Sequence, residues 1–286
     1  MSPAPRFQAG RDPAASGGHR PAPGPHPVMG RWARYRVAFL TILKKEILRF
    51  SRIWIQTLLP SVITTTLYFV IFGRLIGERI GPMGGFAYLD FIVPGLVLMS
   101  VITNAYSNVV SSFYSSKFSH FIEELLVAPV PNWVILAGYV AGGVARGLAV
   151  GLAVTLVAVV FTDLQIHSLL TSLTVFTLTA ILFALGGFIN AVYANSFDDI
   201  SIIPTFVLTP LTYLGGVFYS IDLLPEFWRW LSQANPVLYM VNAFRYGFLG
   251  VSDIDLGLAL AIILGFIVAL TLYSLRLLDR GVGIKT

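Results

Sequence analysis

The sequence predicts an all-α integral membrane protein with six transmembrane helices, an N-terminal amphipathic interfacial helix and a re-entrant hairpin before the last span. Three observations support this fold class. The 286 residues are 56% hydrophobic and only 12% charged, whereas soluble domains are about one quarter charged. The mean hydropathy is +0.78. Apolar segments of about 20 residues, long enough to cross a bilayer, recur along the chain.

Residues 1–30 are predicted to form a disordered tail. The segment is rich in Pro, Gly and Ala and contains no apolar run, so it cannot bury enough surface to offset the entropy of ordering. The absence of a hydrophobic region also argues against a signal peptide.

The next segment, 31–52, is predicted to be a basic amphipathic helix. Aromatic and aliphatic residues recur every three or four positions, and polar residues lie between them. The polar positions that we single out are Arg34, Lys45, Glu46, Arg49 and Arg52. Such a helix is suited to lie in an anionic headgroup layer. The alternative is a helix packed on the protein's own cytoplasmic surface.

Six spans follow from the length of the apolar segments. They are predicted at Ile53–Phe72, Phe91–Val110, Trp133–Phe161, Leu169–Val192, Ile200–Tyr219 and Leu256–Leu277. The first contains Pro60, and the fifth contains Pro204 and Pro210. Proline is tolerated in a span where neighbouring groups satisfy the freed carbonyls.

The distribution of Lys and Arg predicts the orientation, since cytoplasmic loops carry an excess of both. With both termini inside, fourteen of the 19 basic residues are cytoplasmic and four are external. The external residues are Arg74, Arg79, Arg229 and Arg245. Arg146 remains within the third span. We therefore expect a multi-pass membrane protein with both termini in the cytoplasm.

Residues 223–250 are predicted to form a re-entrant hairpin that enters from the outer face. Two apolar pieces, each too short to span a bilayer, flank Asn235 and Pro236. Trp228 and Trp230 are suited to the aromatic belt of the outer leaflet.

Several classes of function are disfavoured by what the sequence lacks. Without cysteine there is no disulfide, thiolate site or cysteine nucleophile. No Gly directly precedes a Lys as a P-loop requires, so we expect this chain to bind no nucleotide. We also expect no cofactor and no metal. The basic residues act as topology determinants, and we expect no nucleic-acid partner. No carboxylate lies near the centre of a span, as an ion-coupled transporter would usually have.

The cytoplasmic loop 117–131 is the most informative segment between spans. Phe121, Ile122, Leu125 and Leu126 form a short helical stripe that Pro129 ends, and Glu123 and Glu124 lie beside it. This pattern suits a compact helix that docks on a cytosolic partner. A plain surface turn between two spans is the alternative.

Six segments along the chain resemble those of the ABC-2 type permeases, the membrane subunits of ATP-driven exporters. These segments are Phe91–Leu96, Glu123–Val130, Phe197–Asp199, Leu214–Tyr219, Asn235–Pro236 and Arg245–Gly250. Within that family the chain is most similar to inner-membrane permeases of Gram-negative bacteria. The resemblance covers nearly everything after residue 30.

The resemblance implies a connecting helix at 31–52, a coupling helix at Ser119–Val127 and an outer hairpin before the last span. It also implies a homodimer with two separate ATPase subunits, which would bind the ATP and Mg²⁺. The family exports lipids, lipid-linked sugars, polysaccharides or hydrophobic drugs. We therefore expect two kinds of partner in the membrane, an amphipathic substrate and the membrane lipids themselves.

Arg146 is costly near the centre of a span, so we expect it to face protein or a water-filled cavity. Gly143, Gly147 and Gly151 form two overlapping GxxxG patterns that permit close helix approach. The functional interpretation is contact with an anionic headgroup. The structural interpretation is a pair with Asn190, Glu124 or a carbonyl.

The prediction from sequence is therefore the permease subunit of an ABC exporter, which performs no bond chemistry itself. Two alternatives remain. The first is an ion-coupled secondary transporter. The second is a membrane-embedded lipid-modifying enzyme, for which Asp253 and Asp255 are the candidate acids because they resemble a DxD motif.

Overall fold

The computed structural model describes residues 30–163 and 165–283. Positions 1–29 of the predicted tail therefore lie outside the described residues. Apart from one isolated bridge between Met83 and Phe86, the regular structure of the described part is helical. The helices are α1 (Arg31–Arg52), α2 (Trp54–Tyr68), α3 (Gly77–Ile80), α4 (Tyr88–Phe118), α5 (Phe121–Val127), α6 (Asn132–Phe161), α7 (Leu169–Tyr193), α8 (Asp199–Ile203), α9 (Thr209–Tyr213), α10 (Glu226–Gln233), α11 (Pro236–Leu249) and α12 (Leu256–Arg280).

Five helices of the described chain are long and apolar enough to cross a membrane. They are Trp54–Gly73, Tyr88–Phe118, Asn132–Phe161, Leu169–Tyr193 and Leu256–Arg280. They coincide with the first, second, third, fourth and sixth predicted spans. The first extends past α2 because π-helical turns at Phe69–Ile76 continue it.

The fifth predicted span is shorter and less regular than expected. It forms α8, π-helical turns at Pro204–Leu208 and α9, which ends at Tyr213. Pro204 and Pro210 have no N–H to donate, so the regular i→i−4 ladder is interrupted here. Thr209 Oγ1 instead donates to the Pro204 carbonyl at 3.0 Å.

This segment nevertheless contacts α4 near both of its ends. The Phe197 ring packs on Tyr114, with centroids 4.9 Å apart, and the Phe218 carbonyl accepts a 3.0 Å bond from Tyr88 Oη. Since Tyr88 and Tyr114 both lie on α4, they are roughly 39 Å apart at 1.5 Å per residue. The chain therefore passes from one end of the bundle to the other between Phe197 and Phe218.

Helix α4 is the centre of the bundle and packs mainly on α6 and α7. Its Phe113 ring lies 5.2 Å from Tyr139 of α6 and 4.4 Å from Phe188 of α7, between centroids. A Cβ on Gly143 would lie 2.5 Å from Val109, and one on Gly151 would lie 2.4 Å from Phe176. The small residues of α6 therefore permit the close helix approach around which the core is built.

The two ends of the bundle are defined by contacts between helix termini. At the end that carries α5, Lys117 donates to the Val192 and Ala194 carbonyls at 2.8 and 2.7 Å. Asn132 there donates to Asp279 at 2.7 Å. We call this the α5 end, and it gathers the C-termini of α4, α7 and α12.

The opposite end, called the far end, holds the hairpin of α10 and α11. Between these helices, Asn235 donates to the Leu211 carbonyl at 2.6 Å, inside the bundle. Asp253 follows the hairpin and accepts a 2.8 Å bond from Ser220, which precedes the hairpin. Its N–H donates to Asn242 of α11 at 3.0 Å. The chain thus enters and leaves the hairpin at the same end.

Candidate functional site

Helix α5 leaves α4 through a sharp change of backbone direction at His120. This residue has φ +57°, a left-handed conformation that few residue types other than Gly adopt. Its Nδ1 lies 2.9 Å from Glu123 Oε1, which fixes the first turn of α5. The turn directs α5 across the end of the bundle instead of continuing α4.

The seven residues of α5 divide into an anchored side and an exposed side. Ile122 is 1% exposed and packs into the main core, and Leu125 packs beside it. Glu123, Glu124 and Val127 are exposed, Val127 to 86%. Three predicted positions remain. The ring of Phe121 is partly exposed, and Leu126 lies within α5. Pro129 is exposed and follows the end of α5.

Lys45 of α1 joins α5 to the rest of the bundle. Its Nζ lies 4.9 Å from the Phe121 ring centroid and 5.7 Å from that of Tyr139. It also donates to Ser116 Oγ at 3.3 Å, and Ser116 accepts a second bond from Tyr139 Oη at 3.0 Å. Partial burial lowers the pKa of Lys45, although Glu46 opposes the shift. These contacts link α1, α4, α5 and α6.

Glu46 is completely buried at the junction of α1, α4 and α6. It accepts hydrogen bonds from Ser112 Oγ, from Asn108 at 3.4 Å and from Arg49 at 3.2 Å. Arg49 also donates to the carbonyl and side chain of Asn108, at 2.8 and 2.9 Å. A Cβ on Gly142 would lie 2.4 Å from Glu46 Cβ, so α6 meets α1 directly.

Helix α1 therefore packs on the protein through one side. Its Arg34 and Arg52 are exposed, and so are large apolar residues such as Trp32, at 73%, and Leu40, at 53%. The buried position of Glu46 was not predicted. A sequence signal was nevertheless present, because Asn104, Asn108, Ser112 and Ser116 recur every four residues along the facing side of α4.

Arg146 is partly buried on α6, and its Nε has no hydrogen-bond partner. None of the pairs considered from sequence is formed within the described chain. Asn190 donates instead to the Ile200 carbonyl at 3.4 Å, and Glu124 is exposed on α5. The Arg49 guanidinium is close enough to repel that of Arg146.

Arg245 has a different environment from the exposed outer position expected of it. It is 1% exposed and donates to the Gly216 carbonyl at 2.6 Å. Its guanidinium lies 3.8 Å from the centroid of the Phe91 ring, a favourable cation–π distance. Gly216 has φ +71°, which suits glycine. Arg245 thus fastens the hairpin to the start of α4.

The other predicted residues of the hairpin lie at its turn and on its surface. Asn235 caps α11, because its Oδ1 accepts a bond from the Val237 N–H at 2.9 Å. Pro236 occupies the first helical position, where its missing N–H costs nothing. Trp228 and Trp230 are 46% and 68% exposed on α10.

Asp253 and Asp255, the acids suggested for chemistry, have structural partners, and so does Asp199. Asp253 accepts bonds from Ser220 Oγ and from the Ile221 N–H. Asp255 caps α12 by accepting from Leu258 N–H at 2.9 Å. Asp199 accepts from the N–H groups of Asn195 and Ser196, and these bonds lower its pKa. Within the described residues, no cluster of acidic or histidine side chains could hold a metal.

One side of α4 carries a polar stripe that is not covered by the rest of the protomer. Its hydroxyl-bearing residues recur every three or four positions and are partly or largely exposed: Ser100, Thr103, Ser107, Ser111 and Ser115. Several donate to the carbonyl one turn back, as Thr103 does to Met99 at 2.9 Å. A cavity of about 200 Å³ between α2 and α4 adjoins the stripe near Asn104. The stripe begins at the α5 end.

A bundle of long apolar helices with a short helix across one end defines the class of a multi-pass membrane protein. Comparison with known proteins identifies the family. The model of the ABC-2 type transporter family matches residues 37–249, which is more than half of the chain. The chain therefore belongs to the ABC-2 type transporter family.

Individual relatives agree with this assignment. The chain is 59% identical over 252 residues to the inner membrane transport permease YadH of Escherichia coli strain K12, covering 88% of this chain and 98% of the relative. It is 23% identical over 243 residues to nodulation protein J of Rhizobium leguminosarum bv. viciae, covering 85% and 94%. The protein is therefore a multi-pass transport permease of the inner membrane, and the lipid-modifying enzyme is disfavoured.

Proposed function

We propose that this chain is the transmembrane subunit of an ATP-driven exporter and that α5 is its coupling helix. Family membership supports the need for an ATPase partner, which would bind the ATP and Mg²⁺. The observation that carries the assignment to α5 is its division into an anchored and an exposed side. Ile122 fixes it to the core while Glu123, Glu124 and Val127 face outward.

Motion of a docked ATPase would reach the membrane helices through the contacts of α5. A displacement of α5 acts on α4 through His120 and on α1 and α6 through Phe121, Lys45 and Tyr139. Because Ile122 also holds α5 in the closely packed core, the displacement is transmitted instead of being absorbed. Helix α1 serves as the connecting helix in this mechanism, with its exposed residues at the membrane interface.

The proposed topology has six crossings, with both termini and α5 in the cytoplasm. The segment between Phe197 and Phe218 supplies the fifth crossing, since its contacts reach both Tyr114 and Tyr88 of α4. The basic residues Lys117, Arg276 and Arg280 lie at the C-termini of helices that meet at the α5 end. The excess of basic residues at that end supports its cytoplasmic location. The hairpin of α10 and α11 is then re-entrant from the outside.

The polar stripe of α4 supports a homodimer with a path for substrate between the protomers. Exposed hydroxyls on a membrane-spanning helix are better placed against a partner or a water-containing path than against lipid. Helix α2 beside the stripe is also largely exposed. A polar path flanked by apolar helices suits an amphipathic, lipid-like or hydrophobic substrate.

The proposal is tested by co-expressing the chain with candidate ABC ATPases from the same genome, beginning with any encoded beside it. The complex is purified through a tag on the permease, and ATPase retention and ATP hydrolysis are measured. The double variant Glu123→Arg, Glu124→Arg is compared with Glu226→Arg, a charge reversal at an exposed position on α10.

We expect the wild type and Glu226→Arg to retain the ATPase and the double variant to lose it. Retention by all three would contradict the assignment of docking to α5. Failure of the wild type to retain any candidate ATPase would contradict the exporter itself. Transport that follows an ion gradient in the absence of ATP would then favour a secondary transporter.

A further inference from the structure

A cavity of about 410 Å³ opens at the α5 end, between α1, α4 and α5. Its lining combines two basic side chains, four hydroxyls and one aromatic ring: Lys45, Arg49, Ser112, Ser115, Ser116, Ser119 and Phe121. No acidic side chain is among these lining residues. The cavity lies at the start of the polar stripe of α4, so anything bound in it is adjacent to the proposed path.

The surroundings of the cavity carry more positive than negative charge. Lys45 and Arg49 line it, and the charge of Arg146 on α6 is near enough to that of Arg49 for the two to repel. In the described part of the chain, Glu46 is the carboxylate that hydrogen-bonds to this group of cations, and its bond is to Arg49. Two positive charges are therefore left without a bonded counter-charge.

Donor groups around the cavity are also left without acceptors. The Nε atoms of Arg49 and Arg146 are buried and unpartnered. A buried donor without an acceptor costs free energy, so an arriving oxyanion would be favoured. The exposed Ser115 and Ser119 at the rim can turn their hydroxyls toward such an anion. Guanidinium, ammonium and hydroxyl donors together are typical of phosphate recognition.

Apolar surface lies immediately beside this polar cavity. Phe121, which lines the cavity, is 42% exposed, and Phe118, one turn before it in the chain, is 65% exposed. A free anion would gain nothing from these side chains, whereas a hydrocarbon chain attached to the anion would bury them. The combination favours an amphiphile over an inorganic ion.

We propose that this cavity binds the phosphate group of a lipid-like amphiphile and so selects an anionic substrate in the cytoplasmic leaflet. The inference rests on the proposed exporter function, which it narrows to phosphate-bearing substrates. Lys45 provides the accessible charge and Arg49 the oriented donors, and Arg146, which interacts with Arg49, adds to the positive potential.

The test uses the full chain purified in dodecyl maltoside, with n-dodecyl phosphate as the probe and inorganic phosphate as the second ligand. Binding is measured by calorimetry for the wild type, Lys45→Gln, Lys45→Arg and Lys44→Gln. Lys44 is exposed next to Lys45 but does not line the cavity, so Lys44→Gln removes the same charge from the same helix as a matched control.

Loss of the charge-assisted contact in Lys45→Gln should weaken binding of dodecyl phosphate about tenfold. Lys45→Arg should restore most of the affinity, and Lys44→Gln should change it less than about twofold, as expected of a screened surface charge. Equal weakening by Lys44→Gln and Lys45→Gln would overturn the site. The absence of wild-type binding would do the same.

If inorganic phosphate binds as tightly as dodecyl phosphate, the proposal of an amphiphilic ligand is wrong and the cavity is a simple anion site. ATPase retention by Lys45→Gln is measured in parallel. If Lys45→Gln retains the ATPase but binds the probe more weakly, the substrate site is distinct from the ATPase docking site. Probe binding by a wild type that retains no ATPase would instead mean that the exporter function fails while the cavity stands.

Discussion

The contact of α1 with α6 at Gly142 gives the sharpest prediction about stability. In Gly142→Ala the new methyl group would lie 2.4 Å from Glu46 Cβ and 2.7 Å from Glu46 Cγ. Ordinary contacts begin near 3.4 Å, so α1 must move away by about 1 Å. Such overpacking costs about 1–3 kcal/mol. The same movement stretches the bonds of the Glu46 and Arg49 network, which adds to the loss.

The measurement is thermal unfolding of the detergent-purified protein, followed by tryptophan fluorescence. A cost of 1 kcal/mol shifts Tm by about 2–4 °C in a domain of this size, so Gly142→Ala should lower Tm by roughly 3–10 °C. Gly265→Ala on α12 is the matched control, because a Cβ there would meet nothing within 4 Å. Its Tm should be unchanged or slightly higher, since Ala favours helix. Equal Tm values for both variants would refute the close-contact reasoning.

Three further predictions concern the anchoring of α5 and the helix caps. Ile122→Ala should reduce ATPase retention and lower Tm, because a buried large-to-small change typically costs about 2–5 kcal/mol. The control Val127→Ala changes an exposed position and should leave Tm unchanged. Asp255→Ala should destabilise the protein by about 1 kcal/mol through loss of the α12 cap, seen as a Tm lower by a few degrees; an unchanged Tm would argue against the cap. Hydrogen bonds lower the pKa of Asp199, so its stabilisation is present above the ordinary pKa of about 3.9 and is lost as pH falls through the folded-state value. The Tm difference between wild type and Asp199→Ala should therefore be constant from about pH 7 to pH 5 and should shrink towards zero below about pH 4. A difference that grows on acidification would contradict this assignment.

Hydropathy predicted the positions of the long helices because continuous apolar segments leave few alternatives in a membrane protein. It placed the end of the second span at Val110, whereas α4 continues to Phe118. The extra turns contain four serines and Lys117, which lower hydropathy without breaking a helix. The hydroxyls of Ser111 and Ser116 donate to carbonyls one turn back, that of Ser111 to Ser107 at 2.7 Å.

The fifth predicted span illustrates a limit of the same method. A hydropathy window treats Pro204 and Pro210 as mildly unfavourable residues, while the backbone responds to their missing N–H groups with π-helical turns. Composition alone therefore located the segment but predicted neither its helical length nor its shape.

The charged groups of the site depended on contacts that no local pattern contains. Glu46 lies in a basic amphipathic segment, and its burial was not predicted. It is buried because Asn108 and Ser112, more than 60 positions away, supply donors to it. Arg245 is likewise buried by acceptors and an aromatic ring from distant segments, including Gly216 and Phe91. The short helix α5, by contrast, was predicted from adjacent residues because its apolar stripe and terminating proline are local.

The central claim, that α5 is the docking point of the ATPase, is tested most directly by cross-linking. The chain contains no cysteine, so Val127→Cys introduces a unique thiol at an exposed position on α5. Leu223→Cys provides a control thiol at the far end, where that residue is 65% exposed. In membranes that contain the co-expressed ATPase, a short bifunctional thiol reagent should join the ATPase to Val127→Cys and leave Leu223→Cys free. A cross-link from Leu223→Cys, with none from Val127→Cys, would contradict the account.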